Sequence, residues 1–319
     1  MTSPDNAKKQ DRDAVIEPTP VEELLSILDL EPLEHNLFRG RSPKTGWQRV
    51  FGGQVIGQSL VAAQRTVPQE RPVHSLHGYF LRPGDPAVPI IYEVDRIRDG
   101  GSFTTRRVVG IQHGKAIFSA SISFHVAEDG LDFQFTMPEQ PDPDTLLDNV
   151  ARRQDLIQSA PDNVKRYWAR PRPIQMVPTS LEHYLTDAPQ PPQQNVWLRA
   201  TGLIPNNSAL QASVLAYASD MTLLDTALYP HGKKTFDADL MVASLDHSMW
   251  FHRPIDMNEW ILFAQDTPNS NGGRGLTRGT LYAADGTLVA SCAQEGLIRH
   301  RDPARPHGGL PKTSPLRKK

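Results

Sequence analysis

The chain has 319 residues, of which 38% are hydrophobic and 22% are charged, and its formal net charge is −2. These values indicate a soluble globular protein that is long enough for two domains. The net charge provides no broad basic surface, so nucleic-acid binding is disfavoured as the main role. We find no run of about 18 apolar residues, so the sequence predicts no membrane-spanning helix.

The first half of the chain predicts two helices followed by a set of strands. Residues 1–20 are polar and without period, which predicts a disordered tail. Val21–Asp29 has helical spacing, and Leu37–Val50 predicts a strand interrupted at Pro43–Gly46. A longer helix begins near Phe51, because Ile56, Leu60, Ala63 and Val67 form one apolar stripe, and it ends before Pro68. The strands that follow are Val73–Leu81, Ile90–Arg98, Phe103–Gln112 and Lys115–Val126, the last two joined by the turn His113–Gly114.

Two glycines in this helix indicate a close neighbour. Gly53 and Gly57 lower helix stability, and their presence is easier to explain if another backbone or a ligand comes close.

A proline-rich segment separates the two halves. Asp144–Gln158 and Asn163–Ala169 have helical composition, but the prolines between Pro171 and Pro192 prevent long elements. We interpret residues 137–194 as an ordered connector that packs on the surface.

The second half repeats the order of the first. Val196–Leu203 predicts a strand, and the apolar stripe Leu210, Val214, Tyr217 and Met221 predicts a helix. The later strands are Leu245–His252, Trp260–Gln265, Leu276–Ala283 and Thr287–Ile298, with Asp285–Gly286 at the last turn. The chain therefore divides into a first domain, 21–136, the connector, a second domain, 195–302, and a basic tail, 303–319.

Two related segments support a duplication. Val73–Pro83 and Ser244–Pro254 both carry His and Ser, then an aromatic residue, then Phe-x-Arg-Pro, and their Arg-Pro pairs lie 253 − 82 = 171 residues apart. A period of this length indicates a duplicated domain rather than a short solenoid repeat. Each copy, a helix followed by antiparallel strands, predicts an α+β layer in which a sheet wraps around a helix.

The positions at which the copies differ predict the chemistry. Ser244 aligns with Val73 and Gln294 with Ile122, so two positions that are apolar in the first copy are polar in the second. Asp220 aligns with Thr66, so the second copy has a carboxylate where the first has a hydroxyl. Polar groups in a packed sheet lower stability unless they are paired or used. A carboxylate, a hydroxyl and an amide could hold one water for general-base hydrolysis, although local hydrogen bonding would explain the same three residues. The second copy also has about 17 extra residues (171 − 154) between helix and strand.

Other residues admit a catalytic interpretation but favour a structural one. Strand alternation predicts that Ser244, Asp246 and Ser248 share one face and that His247 lies on the other, so Asp246–His247 cannot act as one dyad. Cys292 shares a face with Gln294, but a thiol nucleophile needs an activating base. Structural roles are also expected for His74, His77, His231 and His252.

Long ordered motifs in both halves resemble the type II (TesB) acyl-CoA thioesterases, the family that includes the peroxisomal acyl-CoA thioesterases. The motifs in the first half are Leu37–Gly40, Val50–Gln54, His74–His77, Phe80–Asp85 and Asp99–Phe103. Those in the second half are Tyr217–Asp220, Leu245–Pro254 and Gln294–Gly296.

This resemblance implies a double hotdog fold, in which two antiparallel sheets join and each wraps around a long central helix. It implies hydrolysis of medium- to long-chain acyl-CoA to free fatty acid and CoA, with no metal and no organic cofactor. The family's catalytic trio falls on Asp220, Ser244 and Gln294, where Ser stands in place of the Thr of some members. Oxyanion or substrate-binding candidates are Gly52, Gly53, Gln54 and His247.

Two alternatives stay open. A hotdog-type hydratase or dehydratase would need an Asp–His pair before the second helix, where Asn206–Ser208 stands, and a non-catalytic acyl-CoA-binding protein would keep the fold without turnover. A single cysteine and the lack of a secretory signal predict a cytoplasmic protein. The C-terminal Leu-Arg-Lys-Lys is not a peroxisomal signal of the Ser-Lys-Leu type, and the peroxisome is the alternative. We expect a homo-oligomer with acyl-CoA as its partner.

Overall fold

The computed structural model describes residues 18–43, 48–148, 169–235 and 237–301, and single helical positions at Asp155, Gln158, Asp162 and Lys165. The described helices are α1 Pro20–Leu28, α2 Gly52–Gln64, α3 Pro143–Asp148, α4 Glu182–Leu185 and α5 Ser208–Ser219, with a 3₁₀ helix at Leu223–His231. The predictions for residues 1–17, the interruption at 44–47, most of 149–168 and the tail 303–319 lie outside the described residues. No helix of the described part is long and apolar enough to cross a membrane.

The strands form one antiparallel sheet. They are β1 Glu31–Glu34, β2 Leu37–Gly40, β3 Val73–Phe80, β4 Ile90–Asp99, β5 Phe103–Gln112, β6 Lys115–His125, β7 Ile174–Pro178, β8 Gln193–Ala200, β9 Leu240–Ser244, β10 Asp246–Phe251, β11 Ile261–Asn271, β12 Arg274–Ala283 and β13 Leu288–His300. Their order is β1-β2-β4-β5-β6-β3-β10-β13-β12-β11-β8-β7, and β9 pairs with β13 beside β10. Strands β2–β6 and β8, β10–β13 therefore follow the same order, which confirms the predicted repeat.

The repeated segments meet where the two half-sheets join. Strand β3 pairs with β10, and His77 lies opposite Ser248. These two residues are also 171 positions apart, so each is the other's counterpart in the duplication. A pseudo-twofold axis must therefore pass between them, and the His77 Nδ1 and Ser248 Oγ atoms are 3.1 Å apart.

Helices α2 and α5 pack against each other. Every residue of α2 from Gly53 to Ala63 is buried, and the helix lies against β2–β6. A Cβ atom on Gly53 would lie 2.3 Å from the Tyr217 carbonyl oxygen of α5. The close backbone predicted from this glycine is therefore that of the twin helix. The 3₁₀ helix lies in the second half against β8, β11, β12 and β13.

The connector contributes to the sheet, which the sequence did not predict. Strand β7 extends the sheet at Ile174–Pro178. Residues before it cover the outer face of the second half, where Trp197 Nε1 donates to the Pro141 carbonyl at 2.9 Å and Trp260 Nε1 donates to Asp144 at 3.2 Å. The proline and acid content of this segment argued against a strand, although a short edge strand tolerates proline.

Candidate active site

The three residues that distinguish the second copy lie together. Asp220 directly follows α5, Ser244 ends β9, and Gln294 lies in β13. Ser244 Oγ donates to Asp220 Oδ1 at 3.2 Å, and Gln294 Nε2 donates to Ser244 Oγ at 2.8 Å. Gln294 is 1% exposed, whereas Asp220 and Ser244 are half-buried.

A β-bulge aims Ser244 at this site. Strands β9 and β10 both pair with β13, but their registers differ by one residue. The numbers of two paired residues add up to 540 on β9, as for Ser244 and Gly296, and to 541 on β10, as for Ser248 and Ala293. One extra residue therefore interrupts the strand at Leu245, and the Asp246 carboxylate accepts the Glu295 N–H at 2.7 Å. The predicted opposite faces of Ser244 and His247 are thus wrong, because the bulge changes the parity and both face inward.

His247 extends the site behind Gln294. Its ring is fully buried, with Nδ1 at 2.6 Å from Gln294 Oε1 and Nε2 at 2.9 Å from Ser219 Oγ. Burial lowers the pKa of His247 to about 4, so the imidazole is neutral at pH 7. A carbonyl oxygen can only accept, so Nδ1 must carry the proton. Nε2 faces Ser219 Oγ, which also donates to the Ala216 carbonyl at 2.9 Å. Both ring nitrogens are therefore used within the protein.

The hydrogen bonds then run in one direction. His247 donates to Gln294, Gln294 donates to Ser244, and Ser244 donates to Asp220. Gln294 and Ser244 each accept one hydrogen bond and donate the next, and the series ends on the Asp220 carboxylate, which only accepts. Such a network fixes the amide orientation of Gln294 and the tautomer of His247 together.

The start of α2 completes the surroundings of Asp220. The backbone N–H of Gly53 donates to the Asp220 carboxylate, at the end of the helix dipole that favours negative charge. Gly52 has no space for a side chain, because a Cβ there would lie 2.5 Å from Asp220 Oδ2 and 2.9 Å from Phe80 Cζ. Gln54 points elsewhere and donates to Ser42 Oγ at 2.9 Å.

Burial raises the pKa of the Asp220 carboxyl group towards neutrality. Desolvation raises the pKa of Asp220 to about 6, and hydrogen bonds from Gln294, Ser244 and the Gly53 N–H oppose this rise. The carboxylate is therefore ionised at pH 7, yet it accepts a proton more readily than an exposed aspartate. Asp225 on the 3₁₀ helix, which the sequence analysis did not single out, is also buried, and burial raises its pKa to about 7.

The remaining candidates lie outside this network. Burial and the nearby Asp220 raise the pKa of the Cys292 thiol, so it stays protonated. His74 contacts Ser123 Oγ at 2.8 Å, and His252 contacts Ser291 Oγ at 2.9 Å, each through Nε2. Asn207, where a hydratase would place a catalytic pair, accepts the Leu210 N–H and caps α5. No group of three or more metal-binding side chains occurs among the residues that the structure describes.

Comparison with solved structures first gives the class. A protein with a hot dog fold from Alicyclobacillus acidocaldarius superposes with a TM-score of 0.69 at 16% identity, covering 88% of this chain and 98% of that one. The acyl-CoA thioesterase II TesB2 from Mycobacterium marinum matches at 42% identity with a TM-score of 0.72, covering 88% and 99%. The fold is therefore the predicted double hotdog.

Sequence comparison then gives the family. The acyl-CoA thioesterase model matches residues 171–297, and the model of the acyl-CoA thioesterase N-terminal domain matches residues 40–125. Acyl-CoA thioesterase 2 from Haemophilus influenzae is 40% identical over 276 residues, which cover 86% of this chain and 96% of that protein. The chain belongs to the acyl-CoA thioesterase family, and the hydratase alternative is not favoured.

Proposed function

We propose that the chain hydrolyses the thioester of acyl-CoA by general-base catalysis, with Asp220 as the base. The observation that carries this proposal is the directed hydrogen-bond chain, which ends on a half-buried carboxylate with a pKa of about 6. A base with a pKa near the working pH combines ionisation with a useful affinity for the proton. Family membership defines the reaction class, and the roles of the residues are our proposal.

The reaction begins with a water molecule held by Asp220, Ser244 and Gln294. Asp220 takes one proton from this water while its oxygen attacks the thioester carbonyl carbon, and the carbonyl electron pair moves to oxygen. The tetrahedral intermediate then expels the CoA thiolate, which takes the proton from Asp220 and leaves as the thiol. The other product is the fatty acid, and no covalent enzyme intermediate is formed.

The N-terminus of α2 would stabilise the charge that develops on the carbonyl oxygen. The first N–H groups of a helix have no partner within it and carry partial positive charge. Because the Gly53 N–H donates to Asp220, we assign the oxyanion contact to the Gly52 N–H. His247 acts as a positioning residue, since it holds the Gln294 amide through Oε1.

Apolar rings next to the trio would receive the acyl chain. Phe80 adjoins Gly52, and Phe51 packs edge-on against Tyr217 with ring centroids 5.1 Å apart. Such a wall suits medium- to long-chain acyl groups better than acetyl.

We extend the proposal to assembly and location. Tyr79, Leu81 and Trp250 are 62%, 48% and 38% exposed around the β3–β10 junction, which favours a homo-oligomer. The single, buried cysteine favours a reducing compartment, the cytoplasm or a peroxisome. Size-exclusion chromatography with light scattering tests whether the chain forms a homo-oligomer, and a monomer would contradict that proposal.

A thiol-release assay with acetyl-, decanoyl- and palmitoyl-CoA tests the reaction. We expect release that increases from the acetyl to the longer thioesters. Ser244→Ala should lose most turnover, whereas the matched variant Ser244→Thr should keep it, because only the second retains the hydroxyl. Tight acyl-CoA binding without thiol release would contradict the proposal and favour a binding protein.

A further inference from the structure

A basic cavity lies at the far end of the elements that hold the trio. It has a volume of about 420 Å³ and is lined by the end of the 3₁₀ helix, the start of β9, the β11–β12 turn and the end of β13. Ser244 ends β9, Gln294 lies in the middle of β13, and Asp220 precedes the 3₁₀ helix. The trio and the cavity therefore lie at different places along the same three elements.

Four cationic side chains gather at this cavity, and two of them line it. Lys233 and Arg274 line it, Arg299 packs beside the lining residue Gly273, and Arg301 donates to the Leu240 carbonyl at 2.7 Å. Two carboxylates pair directly with the lining cations, since Asp239 lies 2.9 Å from Lys233 and Glu295 lies 3.0 Å from Arg274. Besides Asp239, Asp237 and Asp187 also lie near enough to Lys233 to raise its pKa. His231 and His300 also line the cavity, and His300 lies 3.6 Å from Asp239.

These ion pairs do not close the cavity to an anion. The Lys233 and Arg274 side chains are 36% and 52% exposed. Exposed pairs of this kind contribute about 0–1 kcal/mol. Phosphate oxygens form stronger, charge-assisted hydrogen bonds with the same groups. The two acids therefore hold the cationic side chains in place without preventing phosphate from binding.

The distance from the trio matches one substrate feature. Ser244 and Leu240 are four residues apart on β9, or about 13 Å at the usual rise, and Gln294 and His300 are about 20 Å apart on β13. The pantetheine arm of CoA links the thioester sulfur to the diphosphate through about 13 bonds, which span roughly 15 Å when extended.

Strand β9 offers a path between the two places. In the described sheet it pairs with β13 alone, so its other edge presents backbone N–H and carbonyl groups. Residues Met241–Ala243 on this strand are only partly buried. The pantetheine arm carries two amides, and an extended amide chain can add to such an edge.

We infer that this cavity binds the diphosphate and 3′-phosphate of CoA, with the pantetheine arm along β9. The inference rests on the proposed function, because it names the site of the substrate part remote from the reacting bond. Lys233 and Arg274 contact the phosphates and select thioesters of CoA over thioesters that lack the nucleotide.

Kinetics with two substrates test this assignment. Decanoyl-CoA and decanoyl-pantetheine present the same thioester, but only the first carries phosphates. In the variant Lys233→Gln/Arg274→Gln we expect KM for decanoyl-CoA to rise about tenfold or more, since two charged hydrogen bonds are lost. The kcat/KM for decanoyl-pantetheine should stay at the wild-type value. Arg278→Gln is the control, since it removes an exposed charge of β12 that pairs with Asp266 outside the cavity.

The outcomes separate the two proposals. An equal loss for both substrates would overturn the phosphate site and indicate that Arg274 acts through Glu295 on the neighbouring Gln294. An unchanged KM for decanoyl-CoA would overturn it as well. If the wild-type protein hydrolyses neither thioester, the proposed function fails. Because Lys233 pairs with Asp239 and Arg274 is the partner of Glu295, Lys233→Gln alone should raise KM in the same direction.

Discussion

Replacement of Asp220 by asparagine separates catalysis from folding. Asparagine keeps the size and one oxygen acceptor for Ser244 and Gly53, but it cannot take a proton. Loss of a general base lowers turnover by about 10²–10⁴-fold. Because no contact with the apolar rings or the basic cavity changes, we expect the Kd for acyl-CoA to stay close to that of the wild type.

The same variant should be more stable at neutral pH. The pKa of Asp220 is about 6 in the folded protein against an ordinary value of 3.8. At 1.36 kcal/mol per unit, the ionised carboxylate lowers the free energy of unfolding by at most about 3 kcal/mol, less any remaining contact with solvent. Between these pKa values the folded state binds more protons than the unfolded state, so wild-type stability falls as pH rises from about 4 to 6.

Two measurements check this reasoning. Thermal unfolding of both proteins at pH 4.5 and pH 7.5 should give similar Tm values at the lower pH and a higher Tm for Asp220→Asn at the higher pH. Thiol release and equilibrium binding complete the comparison. Near-normal thiol release would remove Asp220 from the mechanism, and a variant less stable at both pH values would refute the assigned cost of burial.

Three further changes probe the rest of the site. The kcat/KM of the wild type should fall tenfold per pH unit below about pH 6, as Asp220 becomes protonated, and a flat profile from pH 5 to 8 would exclude this base. Gln294→Ala leaves the His247 N–H without its acceptor and removes the Gln294 donor to Ser244 Oγ, which costs about 1–3 kcal/mol of stability. It should lower kcat more than it raises KM, and unchanged kcat would leave Gln294 a structural residue. Gly52→Ala places a methyl group against Asp220 and should reduce kcat in a folded protein, whereas Gly101→Ala, with open space around its Cβ position, should not; equal activities would refute the close packing.

The duplication and the fold could be predicted from the sequence because the hydrophobic periods and the turn residues indicate the same elements in both copies. Stripes in the two long helices and glycines at the two hairpin turns are local signals, and both copies carry them. The sequence showed that Val73–Pro83 and Ser244–Pro254 are related, but it did not predict that the strands in these segments, β3 and β10, pair with each other. Strand β7 was missed because proline content outweighed a short apolar run.

The sequence predicted which three residues form the candidate site, but it did not predict how they and their neighbours are arranged. Asp220, Ser244 and Gln294 were identified as polar departures from a repeat, which requires no knowledge of contacts. Alternation then put His247 on the wrong face, because a single extra residue at Leu245 reverses parity and leaves no distinctive sequence signal. The inward position of Ser219 and the Gly53 contact with Asp220 depend on helix packing across the duplication.

The first copy shows why the chain has one such site. Ile122, the counterpart of Gln294, lies opposite Arg106, whereas Gln294 lies opposite the small Thr277. Arg106 is 1% exposed, and its Nε donates to the Oγ1 of Thr66, the counterpart of Asp220, at 2.8 Å. Its Nη2 reaches the Thr66 carbonyl at 3.0 Å and Asp99 at 2.6 Å. In the first copy a guanidinium therefore lies beside the counterpart of Asp220, which is why we propose the water site for the second copy alone.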